Sequence, residues 1–270
     1  MKKAILILNY LLIVFIGNAQ SYTYVNAVKI NANSIEVDEF NNIYAIEDFK
    51  ISKFNAEGKL LFEFNNTNNG VISHFDVTNP LKPVVFYRDF QILVMLDHKL
   101  TIIHTVKLLE YGFDNIQTIC AASNNSYWIY DNSDHKLKKI DVFFEVVQKS
   151  DSYFNTFKIK DHLNLFLENK EPLILKENAN KLYSLDIEGL KVFDLYGNYI
   201  NTINMFTDDF QIVKNQIVYY LNNSIYLYNN KKLEFSKMEI SSMEGILSAK
   251  LIKDKIVYRL KEHIIIYSID

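Results

Sequence analysis

Short apolar runs ending in a small polar residue recur along the chain. They are Ile51-Ser-Lys-Phe-Asn55, Val94-Met-Leu-Asp97, Leu137-Lys-Lys-Ile-Asp141, Leu190-Lys-Val-Phe-Asp194, Ile225-Tyr-Leu-Tyr-Asn229 and Ile264-Ile-Ile-Tyr-Ser268. Their terminal residues stand 42, 44, 53, 35 and 39 positions apart. Twelve or thirteen residues before each terminal residue begins another apolar pair: Ile43-Tyr44, Val84-Val85, Trp128-Ile129, Leu182-Tyr183, Ile217-Val218 and Ile256-Val257. Two short apolar runs at constant separation, with Asn, Asp, Lys or Glu between them, predict a hairpin repeated six times. Most hairpins are flanked by a strand before, such as Ser34 to Asp38 or Phe210 to Val213. A further strand follows most of them, such as Lys59 to Phe64, Leu100 to Val106, Glu145 to Lys149 or Tyr199 to Met205.

Four strands recurring at a period of roughly 20 to 50 residues are the blade of a β-propeller. The expected fold is therefore all-β, a six-bladed ring. The sixth repeat ends at Asp270, leaving no chain for its outer strand. Tyr22 to Ala32 alternate apolar and polar residues and belong to no other blade, so they are assigned to that outer position, where they cover an open sheet edge. The 53-residue spacing is about one short element too long, and the excess falls between Ser152 and Glu171. Ile159, Leu163 and Phe166 fit a helical period there, while Leu163, Leu165 and Leu167 alternate as a strand would. Both readings stay open.

The first residues have the layout of an export signal: Lys2 and Lys3, an apolar run from Ala4 to Ile16, then Gly17-Asn18-Ala19 before a cut. That run is shorter than the roughly 20 apolar residues a membrane span needs. Residues 1–19 are read as a cleaved signal peptide and 20–270 as one propeller domain. The product is expected to be soluble, in the periplasm or outside the cell. The chain is 49% hydrophobic and 14% aromatic, which suits strands with a large core. With 29 Lys+Arg against 32 Asp+Glu and no basic run longer than two, nothing marks a nucleic-acid binder. The one cysteine, Cys120, excludes a disulfide framework and lies in an apolar strand, where a buried thiol is expected.

Asp76-Val-Thr-Asn-Pro-Leu-Lys-Pro-Val-Val-Phe-Tyr-Arg-Asp-Phe90, Tyr127-Trp-Ile-Tyr-Asp131 and Gly189-Leu-Lys-Val-Phe-Asp-Leu-Tyr-Gly197 resemble secreted bacterial six-bladed propellers of unassigned function, loosely like NHL-repeat propellers. The resemblance spans essentially the whole mature chain. It implies six blades and export, and it carries over no catalytic residue.

Candidate chemistry is sparse. There is no G-x-S-x-G elbow, H-E-x-x-H, EF-hand loop or paired C-x-x-C, and no catalytic residue or cofactor is called for. The repeated Asp97-His98-Lys99-Leu100 and Asp134-His135-Lys136-Leu137 fall at different points of the repeat and are read as coincidence. Aromatic and polar residues near the second turn of neighbouring blades form the candidate recognition patch: Tyr87, Arg88 and Asp89 with Tyr127, Trp128, Tyr130 and Asp131. Aromatics with Arg favour binding hot spots, although alternate strand aromatics also pack between blades. A metal-dependent, lactonase-like hydrolase would instead draw on inner-strand Glu36, Asp38, His74 and Asp76 around a divalent cation. Inner-strand lysines, among them Lys176, Lys214, Lys250 and Lys253, oppose a cation there. The leading expectation is a non-catalytic binding or scaffolding module of the cell envelope or exterior, with a protein or glycan as partner. The channel hydrolase is the alternative, and a purely structural subunit the third reading.

Overall fold

A computed structural model describes residues 21–153, 174–240 and 243–269. The chain opens with β1 (Tyr22–Lys29) and enters blade one through β2 (Ser34–Val37), β3 (Ile43–Ile46), β4 (Lys50–Phe54) and β5 (Leu60–Asn65). Blade two is β6 (His74–Asp76), β7 (Val84–Tyr87), β8 (Ile92–Leu96) and β9 (Ile102–Lys107). Blade three is β10 (Ile116–Ala122), β11 (Ser126–Asp131), β12 (Lys136–Ile140) and β13 (Val146–Ser152). Blade four is β14 (Ile174–Asn178), β15 (Lys181–Asp186), β16 (Gly189–Asp194) and β17 (Tyr199–Ile203). Blade five holds β18 (Gln211–Val213), β19 (Gln216–Leu221), β20 (Ser224–Asn229) and β21 (Glu234–Glu239). Blade six holds β22 (Ser248–Ile252), β23 (Lys255–Arg259) and β24 (His263–Ile269).

Five antiparallel sheets follow chain order; the sixth runs β1-β24-β23-β22. The N-terminal strand thus closes the ring where the strand count placed it. It is in register from Tyr22 opposite Ile269 to Lys29 opposite His263, with one bulge between Tyr24 and Asn26. Blade one grips the same strand: the Asn26 amide donates to the Glu57 carbonyl at 2.9 Å. At Gly58, in the left-handed region, a Cβ would stand 2.8 Å from Asn26 Nδ2. The proposed signal peptide and the ambiguous 152–171 element fall almost entirely outside the described residues.

The core is divided among the gaps between blades. One apolar cluster fills each of the six gaps, from Tyr44, Phe75 and Tyr87 between blades one and two to Ile35, Ala45 and Ile266 between six and one. Successive side chains of a strand point to opposite faces. Val84 and Phe86 therefore pack toward blade three while Val85 and Tyr87 pack toward blade one. Strands buried on both faces read as unbroken apolar runs, which is why the repeats were visible.

The polar residue ending the runs of blades one to four has a local role. Asn55, Asp97, Asp141 and Asp194 each accept backbone N–H bonds from residues two and four further on, at 2.8–3.1 Å. Asx turns of this kind replace backbone pairing where the chain reverses. The third residue after each adopts positive φ. Glycine supplies it at Gly58 and Gly197, but Leu100 and Phe144 supply it in blades two and three. Both side chains are buried, so packing offsets the strain.

Candidate functional site

The inner strands β2, β6, β10, β14, β18 and β22 line the central channel. At the end where they start, the channel opens into a cavity of about 700 Å³. Its wall includes Glu36, His74, Thr118, Asp209, Lys250 and Arg259, and its rim includes Ile187, Phe206 and Leu247. Those three rim side chains are 60%, 69% and 51% exposed, large apolar groups held in water around a polar interior.

Charge on the floor is organised around Glu36. Lys176 donates to both of its carboxylate oxygens, at 2.8 and 2.9 Å, and Lys250 Nζ lies 3.6 Å away. Lys250, nearly fully buried, also pairs with Asp209 at 2.7 Å and donates to the Phe210 carbonyl. Burial works against the Glu36 charge, but Lys176 and Lys250 outweigh it and hold the carboxyl below its ordinary range. Burial likewise opposes the Lys176 charge, and Glu36 followed by Asp209 raise its pKa nonetheless. His74 behaves differently. Burial lowers its pKa and the neighbouring carboxylates do not restore it, so the ring is neutral near pH 7. Its Nε2 and the Thr118 hydroxyl are enclosed with no hydrogen-bond partner among the described residues.

The four residues of the metal alternative do not converge. Glu36 and His74 line the cavity, but Asp38 sits in the β2–β3 turn at the opposite end of the inner strand. There it accepts bonds from the Phe40 and Asn42 N–H groups, the Asn42 amide and the Tyr44 hydroxyl. Asp76 is occupied by the Thr78 and Ala121 N–H groups at 2.7 and 2.6 Å, tying blade two to blade three. Among the described residues no three His, Cys, Asp or Glu side chains gather as a metal donor set. The lysine pairing of Glu36 gives the reason: the carboxylate's lone pairs face ammonium groups.

The recognition patch is also dispersed. Tyr87, Trp128, Tyr130 and Asp131 are buried. Tyr87 packs between blades one and two, Tyr127 between two and three, and Trp128 with Tyr130 between three and four. Trp128 Nε1 donates to Glu177, which also pairs with Lys139 and accepts from the Ser123 N–H. Asp131 pairs with Lys138 at 2.6 Å. Only Asp89, in the β7–β8 turn, is exposed, while Arg88 beside it and Tyr127 are half-buried. Of the inner-strand lysines, Lys176 and Lys250 meet Glu36 at the channel, and nearby Gln211 bonds both backbone groups of Leu251 and joins blades five and six. Cys120 is fully buried, and burial pushes its thiol pKa up.

Asp209, Phe206 and Arg259 escaped the sequence reading. The first two lie in a loop before β18 with no motif. Arg259 had a usable signal: it is one of only two arginines among 29 basic residues.

Fold and cavity together define a six-bladed β-propeller with a charged cup at one channel mouth. No sequence-family model matches the chain, and no curated protein matches it in sequence. Solved structures match in fold. The WD40 domain of Neurospora crassa Pan2 aligns with a TM-score of 0.62 at 10% identity, over 92% of this chain and 95% of that one. A streptogramin B lyase aligns at 0.57 and 13% identity, over 93% and 98%. BamB from Moraxella catarrhalis aligns at 0.50 and 10%, over 92% and 100%. At such identity the likeness concerns the fold alone. Among the described residues no helix is long and apolar enough to cross a membrane.

Proposed function

We propose that the chain is a non-catalytic binding propeller of the cell envelope or exterior, and that its ligand site is the channel mouth. The supporting observation is the cavity itself: an open volume of about 700 Å³ with exposed apolar groups on its rim and paired charges on its floor. Concave sites with an apolar lining and a few fixed polar groups are where small ligands and chain ends bind. The Glu36 pairs favour binding over metal-assisted hydrolysis, since neutralising ammonium groups stand where a cation would have to enter. Export rests on the Lys2–Ala19 pattern and is part of the proposal. So is the nature of the partner, an envelope protein or glycan whose protruding group enters the cup.

Affinity capture from the organism's own envelope extract tests this. Phe206→Asp alters the rim, and Phe143→Asp alters the β12–β13 turn at the other end of the blades; both residues are about 70% exposed, at 69% and 73%. The wild type and Phe143→Asp should retain the same partner, and Phe206→Asp should lose it. Equal retention by both variants would place the site elsewhere, and a hydrolytic activity abolished by Phe206→Asp would replace binding with catalysis.

A further inference from the structure

The cations of the cup are not equivalent. Lys176 and Lys250 each have a carboxylate within 3 Å. Arg259 has none within ion-pair distance among the described residues. It ends β23 opposite Ser248, and its guanidinium is held by neutral groups only: Nε donates to Ser248 Oγ at 3.1 Å, and one terminal nitrogen donates to the Ala32 carbonyl at 3.2 Å. Those two bonds fix the plane of the fork and leave three of its five N–H donors unspent. The residue lines the cavity and is half-buried. Burial lowers its pKa, and the attraction of Asp209, which is bonded to Lys250, raises it by less than burial takes away.

The remaining wall carboxylates make their direct pairs elsewhere, and Asp209 reaches Arg259 only at longer range. Glu36 and Asp209 answer Lys176 and Lys250, and Asp186 is taken by Lys191 at the foot of the rim. Asp208 is exposed on the loop, where water screens it. A planar, oriented guanidinium with free donors matches carboxylate and phosphate oxygens bidentately, which lysine does not. The same cavity carries Phe206, Ile187 and Leu247 on its rim, exposed and apolar, with the Leu247 N–H bonded to the Arg259 carbonyl at 2.8 Å.

We propose that the channel mouth binds a small amphiphilic anion, its carboxylate or phosphate group paired with Arg259 and its apolar body held by the Phe206, Ile187 and Leu247 rim. This rests on the channel mouth being the binding site and adds the chemical class of what enters it. On a larger partner, the same group would be an acidic chain end or an acidic substituent beside an apolar one.

Calorimetric titration of the purified protein with octanoate, octyl phosphate and octanol separates the contributions. Octanoate or octyl phosphate should bind at least tenfold more tightly than octanol, and the stronger of the two identifies the headgroup. Arg259→Gln should remove that advantage while leaving octanol binding unchanged. Arg259→Lys, which keeps the charge and loses the fork, should weaken the better anion at least threefold; this second variant decides the matter if Arg259→Gln folds poorly. Equal binding of octanoate, octyl phosphate and octanol, or anion binding unaltered in the Arg259 variants, overturns the anion assignment. So does failure of all three probes to bind. None of these results touches the Phe206→Asp capture experiment, so the two proposals fail separately.

Discussion

Removing residues 21–30 should loosen the entire ring. The segment supplies seven backbone pairs to β24, and Ile30 N–H adds a bond to the Glu262 carbonyl at 3.0 Å. About six ladder bonds at roughly 1 kcal/mol net each contribute ~6 kcal/mol. Val25, Val28 and Ile30 pack partly buried against the cluster between blades six and one, adding ~5 kcal/mol. Ordering eight strand residues costs about 1 kcal/mol each, or ~8 kcal/mol. The difference, ~3 kcal/mol, corresponds to a fall of roughly 6–12 °C in melting midpoint for a domain of this size. Because β1 bridges blade six and the β4–β5 turn of blade one, the loss should appear as one cooperative transition moved downward. Differential scanning calorimetry of intact and truncated proteins measures it, and a synthetic peptide of residues 21–32 added in excess should restore part of the midpoint. An unchanged midpoint, or a lowered one that the peptide does not raise, would refute strand closure as the source of stability.

Two further outcomes concern the channel floor. Glu36→Gln leaves Lys176 enclosed without its partner and should cost about 3 kcal/mol in denaturant unfolding. Adding Lys176→Met should return most of that loss, and strictly additive costs would count against a coupled pair. Stability should also fall as the pH drops. The folded pKa of His74 lies below the ordinary value of 6.5, so below about pH 7 the unfolded chain takes up a proton that the folded chain refuses. Glu36 acts in the same direction at lower pH: its folded pKa is depressed, so its contribution is present above the ordinary 4.5 and is lost as pH falls through the folded value. Urea midpoints from pH 8 to 5 should decline in the wild type and decline less in His74→Gln. Parallel curves would remove His74 from the explanation.

The candidate site was far less legible than the fold. Glu36, His74, Lys176 and Lys250 could be assigned to inner strands because each follows a repeat boundary. Asp38 and Asp76 could not be separated from them, since a carboxylate that caps a turn and one that faces a channel look alike in sequence. Trp128 and Tyr87 illustrate the same limit. Their types suit a binding patch, and their burial follows from neighbouring blades that no local pattern reveals. Arg259 ends a strand of blade six and Asp209 lies in the loop before blade five, and only ring closure and packing bring them to one cavity.

The repeat was decided by the sequence alone, and the reason is geometric. A blade's two central strands are buried on both faces, so they must be continuous apolar runs, and each reversal needs a residue such as Asp194 whose carboxylate can satisfy free N–H groups. Strand number followed by counting, and the sheet order has β1 completing blade six. What the tertiary structure decided was the partner of each charge. Lys176 meets Glu36 across 140 residues of chain, and Arg259 meets the Ala32 carbonyl across 227. Contacts of that separation are fixed by six blades closing on one axis, which sets the volume, the charge balance and the single unpaired guanidinium among the described wall groups of the cup.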